Sequence, residues 1–293
     1  MSTIERAADL LRSLSLGQQK PAPVGERHAP EPDAIERMAE RLDAKGKPAT
    51  PGGAKSRTFK IDRNRLRAQS LITPDGERSA VAESFRRIKR QILANIANAK
   101  AGAAPANLVM MTSALAGEGK TFCAINLAIS LALEVDRTVL LVDADVAKAN
   151  VPRVLGLEAD RGLMEVLLDR NVHLTDVLWK ADIGKLAVLP VGGAHKHATE
   201  LLGSEAMRGL LREMAERYRD RIIIFDSPPL LAASEAGALA SQMGQIVMVV
   251  EAAKTSEAQI KEALGRIDAG RVAGLLLNKA DGFSLEYGYG GYG

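Results

Sequence analysis

Six short apolar runs constrain this chain more than any other feature. "NLVMMTS", "RTVLLVD", "LAVLP", "RIIIFD", "QIVMVV" and "VAGLLLN" show no polar alternation. A strand wetted on one face alternates apolar and polar residues; a run without alternation belongs to a strand covered on both faces. Helical stretches at about 119–134, 198–218, 232–242 and 255–268 separate the runs. Strands and helices in alternation predict a doubly wound, mostly parallel α/β sheet over residues 105–282. Only 3% of residues are aromatic, so its core must be aliphatic.

Between the first run and its helix stands "MTSALAGEGKT". Ala114 to Thr121 matches the phosphate-loop pattern G-x-x-x-x-G-K-[ST], with Ala114 in place of the first glycine. Gly117 and Gly119 let the backbone curl so that successive N–H groups face phosphate oxygens, and the helix start adds partial positive charge. Ala116, Gly117, Glu118, Gly119, Lys120, Thr121 and Phe122 are the candidate nucleotide-binding residues. Lys120 is placed to reach the β- and γ-phosphates, and the Thr121 hydroxyl to bind Mg²⁺.

Three acids end neighbouring runs. "VLLVDAD" brings Asp143 and Asp145, and "IIIFDSPP" brings Asp226. One aspartate after a strand is commonly a cap or a turn residue. Ligands of open parallel sheets sit outside the carboxyl ends of the strands, so three acids should converge there beside the phosphate loop. They are candidate metal ligands (Asp145 and Asp226, with Thr121) or bases for an attacking hydroxyl (Asp143 or Asp145). "LLLNKAD" spells N-K-x-D, which reads guanine in GTPases, but Pro229 stands where D-x-x-G after Asp226 needs glycine. The nucleotide is therefore read as ATP, with Asn278 as an adenine contact. "HKH" at 195–197 reads as a solvated loop, and Cys123 as packing.

Residues 1–56 read as a flexible region of two short amphipathic helices and Pro/Gly linkers. A single cysteine excludes an intrachain disulfide and fits a reducing cytoplasm. The sequence shows no signal peptide and no apolar run of about 20 residues that would cross a membrane. Residues 57–100 hold 11 Lys and Arg against 4 Asp and Glu, a net of 11 − 4 = +7. Within this basic region, taken as 57–104, "VAESFRRIKRQILANI" places Val81, Phe85, Ile88, Ile92 and Ile96 on one helical stripe. No aromatics interleave with its charges, so nucleic acid is not the expected partner. The chain has four tyrosines, and Tyr287, Tyr289 and Tyr292 lie in the tail "EYGYGGYG" of residues 283–293.

Together "SALAGEGKT", "LLVDADVAK", "IIIFDSPP" and the tyrosine tail resemble the bacterial tyrosine kinases. "ESFRRIK" resembles that family's oligomerisation helix E-x-x-R-x-x-R at Glu83 and Arg86, with Lys89 in the last position. The stretch 60–93 further resembles autokinases of exosortase-linked polysaccharide clusters. The family departs from this chain at Ala147, where it carries arginine, although Lys148 follows. The resemblance implies a P-loop NTPase of MinD/ParA-like fold that uses ATP and Mg²⁺ to phosphorylate its own tail tyrosines. It also implies a ring-like or dimeric homo-oligomer at the inner membrane, in exopolysaccharide synthesis or export. There a membrane chain-length or export protein would activate it, and a tyrosine phosphatase would reverse the modification. The alternative is a MinD/ParA-type positioning ATPase. Those carry a second lysine early in the loop, where this chain has Leu115.

Overall fold

The computed structural model describes residues 57–76, 79–100, 104–218 and 220–280. The helices expected in residues 1–56, Asp281 and the three tail tyrosines lie outside the described residues.

The six apolar runs are all strands. They are β2 (Leu108–Ser113), β3 (Thr138–Asp143), β5 (Leu186–Leu189), β6 (Arg221–Asp226), β7 (Gln245–Glu251) and β8 (Val272–Asn278). Two further strands, β1 (Arg57–Phe59) and β4 (Trp179–Ala181), extend one side. The order is β1-β4-β5-β3-β6-β2-β7-β8, and every neighbouring pair is parallel except β4 with β5. The two short strands carry too few residues to show a period. Tertiary contacts hold them, with Trp179 edge-on to Phe59 at 6.5 Å and under the Arg57 guanidinium at 5.4 Å.

Burial on both faces explains the missing alternation. In β2, Leu108 and Met110 enter one core, and Val109 and Met111 the other. The first core is closed by α5 (Leu163–Leu168), α6 (Leu174–Val177), α7 (Ala198–Leu202), α8 (Glu205–Arg217), α9 (Ser234–Ala240) and α10 (Glu257–Leu264). The second is closed by α1 (Arg63–Ala68), α2 (Ala80–Ala97), α3 (Lys120–Ala132) and α4 (Val151–Leu155). The helix expected over 198–218 is two helices, because Ser204 starts a new one: its hydroxyl accepts from Met207 N at 3.2 Å.

The basic segment is part of this fold. Ser79 caps α2 by accepting from Ala82 N at 3.1 Å. All five residues of its apolar stripe pack into the second core, with Phe85 and Ile92 buried. Phe85 meets Phe122 of α3 edge-on at 6.5 Å. Lys89 turns inward to the Ser130 carbonyl at 3.2 Å and to the Glu134 carboxylate. Further along, Asn126 of α3 accepts from Ile72 N at 2.8 Å. If α2 is integral to the core, Ile92→Ala should lower the unfolding free energy by about 2–5 kcal/mol in a denaturant titration. A loss below about 0.5 kcal/mol would make it a peripheral helix.

Candidate functional site

Parallel pairing delivers the site. In register, Asp143 of β3 lies beside Asp226 of β6, and Glu251 of β7 beside Asn278 of β8. β2, between β6 and β7, hands the chain to the phosphate loop at the same edge.

The loop spans the residues between Ser113 and Lys120, where α3 begins. Gly117 and Gly119 have φ of 89° and 98°, a region that side chains rarely adopt. A Cβ on Gly119 would also overlap the Asn278 amide. No side chain caps the start of α3, which leaves its first N–H groups open to an anion. Ser113 Oγ donates to the Leu115 carbonyl at 2.6 Å and holds the loop's entry. Ala116 and Gly117 are exposed, whereas Glu118 is buried. The Glu118 carboxylate accepts from Leu115 N at 2.6 Å, from Glu251 N at 3.2 Å and from the Thr255 hydroxyl. Asn278 Nδ2 donates to the Glu118 carbonyl at 2.8 Å, and Lys279 Nζ to the Gly117 carbonyl at 2.8 Å. Glu251 pairs with both Lys279 and Lys254 at 3.2 Å.

The three aspartates converge but differ in their surroundings. Asp143 is fully buried, and its carboxylate accepts from Asp145 N at 3.3 Å, Asn150 N at 3.1 Å and Val151 N at 3.0 Å. It thereby fixes the loop that leads into α4. Burial and then the Asp226 charge push its pKa well up against those hydrogen bonds. Asp145 stands 3.9 Å from Lys120 Nζ and accepts from Lys148 N at 3.1 Å. Burial raises its pKa, while the Lys120 and Lys148 charges oppose that rise. Lys148 thus supplies positive charge beside Asp145, next to the position where Ala147 lacks one.

Asp226 is fully buried, and neither carboxylate oxygen accepts a hydrogen bond of ordinary geometry. Burial pushes its pKa up to about 7, opposed by Thr121 and Lys120 and reinforced by Asp145. Such a group is costly unless something positive meets it. The set Thr121, Asp145 and Asp226 offers only oxygen donors, which suits a hard cation such as Mg²⁺. Ser227 and Thr112 lock the surrounding backbone, donating to the Met111 carbonyl at 2.7 Å and the Pro228 carbonyl at 2.9 Å.

The remaining candidates sort clearly. Phe122 faces Phe85 and packs. The buried Cys123 thiol is pushed up to about 12, first by burial and then by the Asp226 charge, so it is packing rather than a nucleophile. His197 is exposed in a turn and His195 is half-buried just before it, and no cluster of three metal-ligating side chains occurs among the described residues. Glu83 and Arg86 pair with each other at 2.5 Å on the outer side of α2. Glu251, Thr255 and Lys279 were not singled out as site residues by sequence reasoning. The first two have no motif around them; Lys279 was visible only as part of N-K-x-D.

A model of the AAA domain family matches residues 106–269, more than half of the chain. Tyrosine-protein kinase YwqD of Bacillus subtilis is 35% identical over 186 residues, covering 62% of this chain and 77% of that protein. The chain belongs to the bacterial tyrosine kinases. This kinase is also 33% identical to the succinoglycan biosynthesis transport protein ExoP of Rhizobium meliloti over 72% of its own length, but spans only 26% of ExoP. The solved structure of the chimerical protein CapA2B2 superposes on 77% of this kinase and 93% of that chain, with a TM-score of 0.62 and 25% identity.

The unpartnered Asp226 makes a prediction. In EDTA at a pH well above the Asp226 pKa of about 7, Asp226→Asn should raise the unfolding temperature by a few degrees, because it removes a buried charge with no counter-charge in contact. The same change should remove the stabilisation that Mg-ATP gives the wild type. A lower melting point in EDTA would mean the carboxylate is already satisfied.

Proposed function

We propose that this kinase transfers the γ-phosphate of ATP to Tyr287, Tyr289 and Tyr292 of its own tail, between neighbouring copies of the chain. The observation that carries the reading is the buried, unpartnered Asp226 beside a glycine loop and Lys120, at the edge where β8 ends. Loop N–H groups and Lys120 hold the phosphates, and Thr121 and Asp226 would hold Mg²⁺. Mg²⁺ bound there would neutralise charge on the β- and γ-phosphate oxygens.

A phenol of pKa about 10 must lose its proton to attack efficiently near neutral pH. Asp143 spends its carboxylate on three backbone N–H groups, whereas Asp145 is less deeply buried and faces Lys120. Asp145 therefore takes the proton as the phenol oxygen bonds to the γ-phosphorus and ADP leaves. Asp143 holds the loop that carries Asp145.

β8 runs parallel to β7, as β7 does to β2, so the chain leaves β8 beside the phosphate loop. Residues 283–293 alone span about 35 Å if extended. Phosphorylation of three tyrosines would add roughly −4.5 to −6 of charge and reverse the net +3. This favours release of neighbouring subunits. No helix among the described residues is long and apolar enough to cross a membrane. An inner-membrane chain-length or export protein is proposed to recruit and activate the kinase in trans, in exopolysaccharide synthesis or export. The likeness to ExoP supports that setting.

The test incubates purified protein with Mg-ATP and maps phosphate by mass spectrometry. Phosphate should appear on the tail tyrosines and vanish in Lys120→Ala. Asp145→Asn should cut the initial rate by about 100-fold or more. ATP turnover without phosphotyrosine, repeated with the membrane partner present, would favour the positioning-ATPase reading instead. Asp143→Asn should lose activity together with melting temperature, whereas Asp145→Asn should lose activity alone.

A further inference from the structure

The end of β8 grips the phosphate loop from outside. We infer that Asn278 and Lys279 are positioning residues that aim the loop's N–H groups, and that Asn278 does not read the base. The inference rests on reading this loop as a nucleotide phosphate site.

In a trans peptide the C=O and the following N–H point in opposite directions within one plane. Holding one therefore aims the other. Lys279 Nζ holds the Gly117 carbonyl, so the Glu118 N–H points away from β8. Asn278 Nδ2 holds the Glu118 carbonyl, so the Gly119 N–H points away from β8 as well. These are two of the N–H groups a phosphate loop offers to its anion. Each plane borders one glycine, whose permissive backbone lowers the cost of a flip. The clamp supplies the restraint that the glycines lack, and restraint before binding lowers its entropic cost.

Several features fit this role. Gly119 approaches Asn278 so closely that a Cβ there would overlap the amide, so the two positions are matched. Glu118 fixes the same stretch from its buried side through Leu115 N, Glu251 N and the Thr255 hydroxyl. Lys279 has φ of 56°, unfavourable for a long side chain, and persists there with Glu251 on its ammonium at 3.2 Å. One Nδ2–H of Asn278 is already committed to the Glu118 carbonyl.

The test is equilibrium binding of ADP, ATP and GTP to the full chain, with thermal unfolding as a check on folding. Asn278→Ala and Lys279→Met should each weaken ADP and ATP by about 10-fold, and GTP by the same factor. Lys279→Arg should recover most of the loss, because it keeps a cation within reach of the carbonyl. Glu251→Gln, which leaves the loop's own hydrogen bonds intact, should weaken all three ligands by a smaller factor and serves if another variant unfolds. Loss of ATP affinity with GTP affinity unchanged would make Asn278 a base contact and overturn the inference. Unchanged affinity for every ligand in both variants would overturn it too. A wild type that binds none of the three would instead remove the nucleotide reading, and this inference with it.

Discussion

Parallel pairing places every carboxyl end of the central strands on one edge, and its register decides which side chains meet there. Asp143 stands beside Asp226, and Glu251 beside Asn278. A one-residue slip would turn these side chains to opposite faces of the sheet. Both faces are filled with aliphatic side chains, and a slip would also place β-strand residues in the wrong core, so the hydrophobic pattern guards the register of the site. The chemistry is thus fixed by groups that take no part in it.

The electrostatics follow from the same arrangement. Two carboxylates on adjacent strand ends are buried where water cannot screen them. Asp143 is compensated by three N–H donors; Asp226 is not. Identical residues at paired positions therefore do different work. One builds the loop toward α4, and the other waits for positive charge. The same division separates Glu118 from the loop around it: its backbone belongs to the phosphate curl, while its side chain belongs to the scaffold beneath.

Much of this was legible in the residues. Strands buried on both faces leave an unbroken apolar run, so β2, β3, β5, β6, β7 and β8 could be read directly. The phosphate loop was legible because its glycines, lysine and threonine each have a local geometric reason. β1 and β4 were not, since three residues set no period and their pairing depends on Trp179 and Phe59 meeting from distant parts of the chain. Asn278 was visible, but the use of its amide was not: nothing local says that a strand end 160 positions away will reach a loop carbonyl. Lys89 shows the same limit. The family resemblance placed it in an oligomerisation motif, whereas Glu134 and Ser130 draw it inward.

The packing of α2 has a consequence for where the molecule's boundaries lie. The AAA domain family model begins at residue 106 and stops at 269, before β8. The folded unit begins earlier and stops later. Phe85 and Ile92 cover α3, Ile72 is tied to Asn126, and β8 covers the flank of β7. A polypeptide trimmed to residues 106–269 would uncover the aliphatic side of the very helix that starts at Lys120, and would lose the strand that steadies its loop.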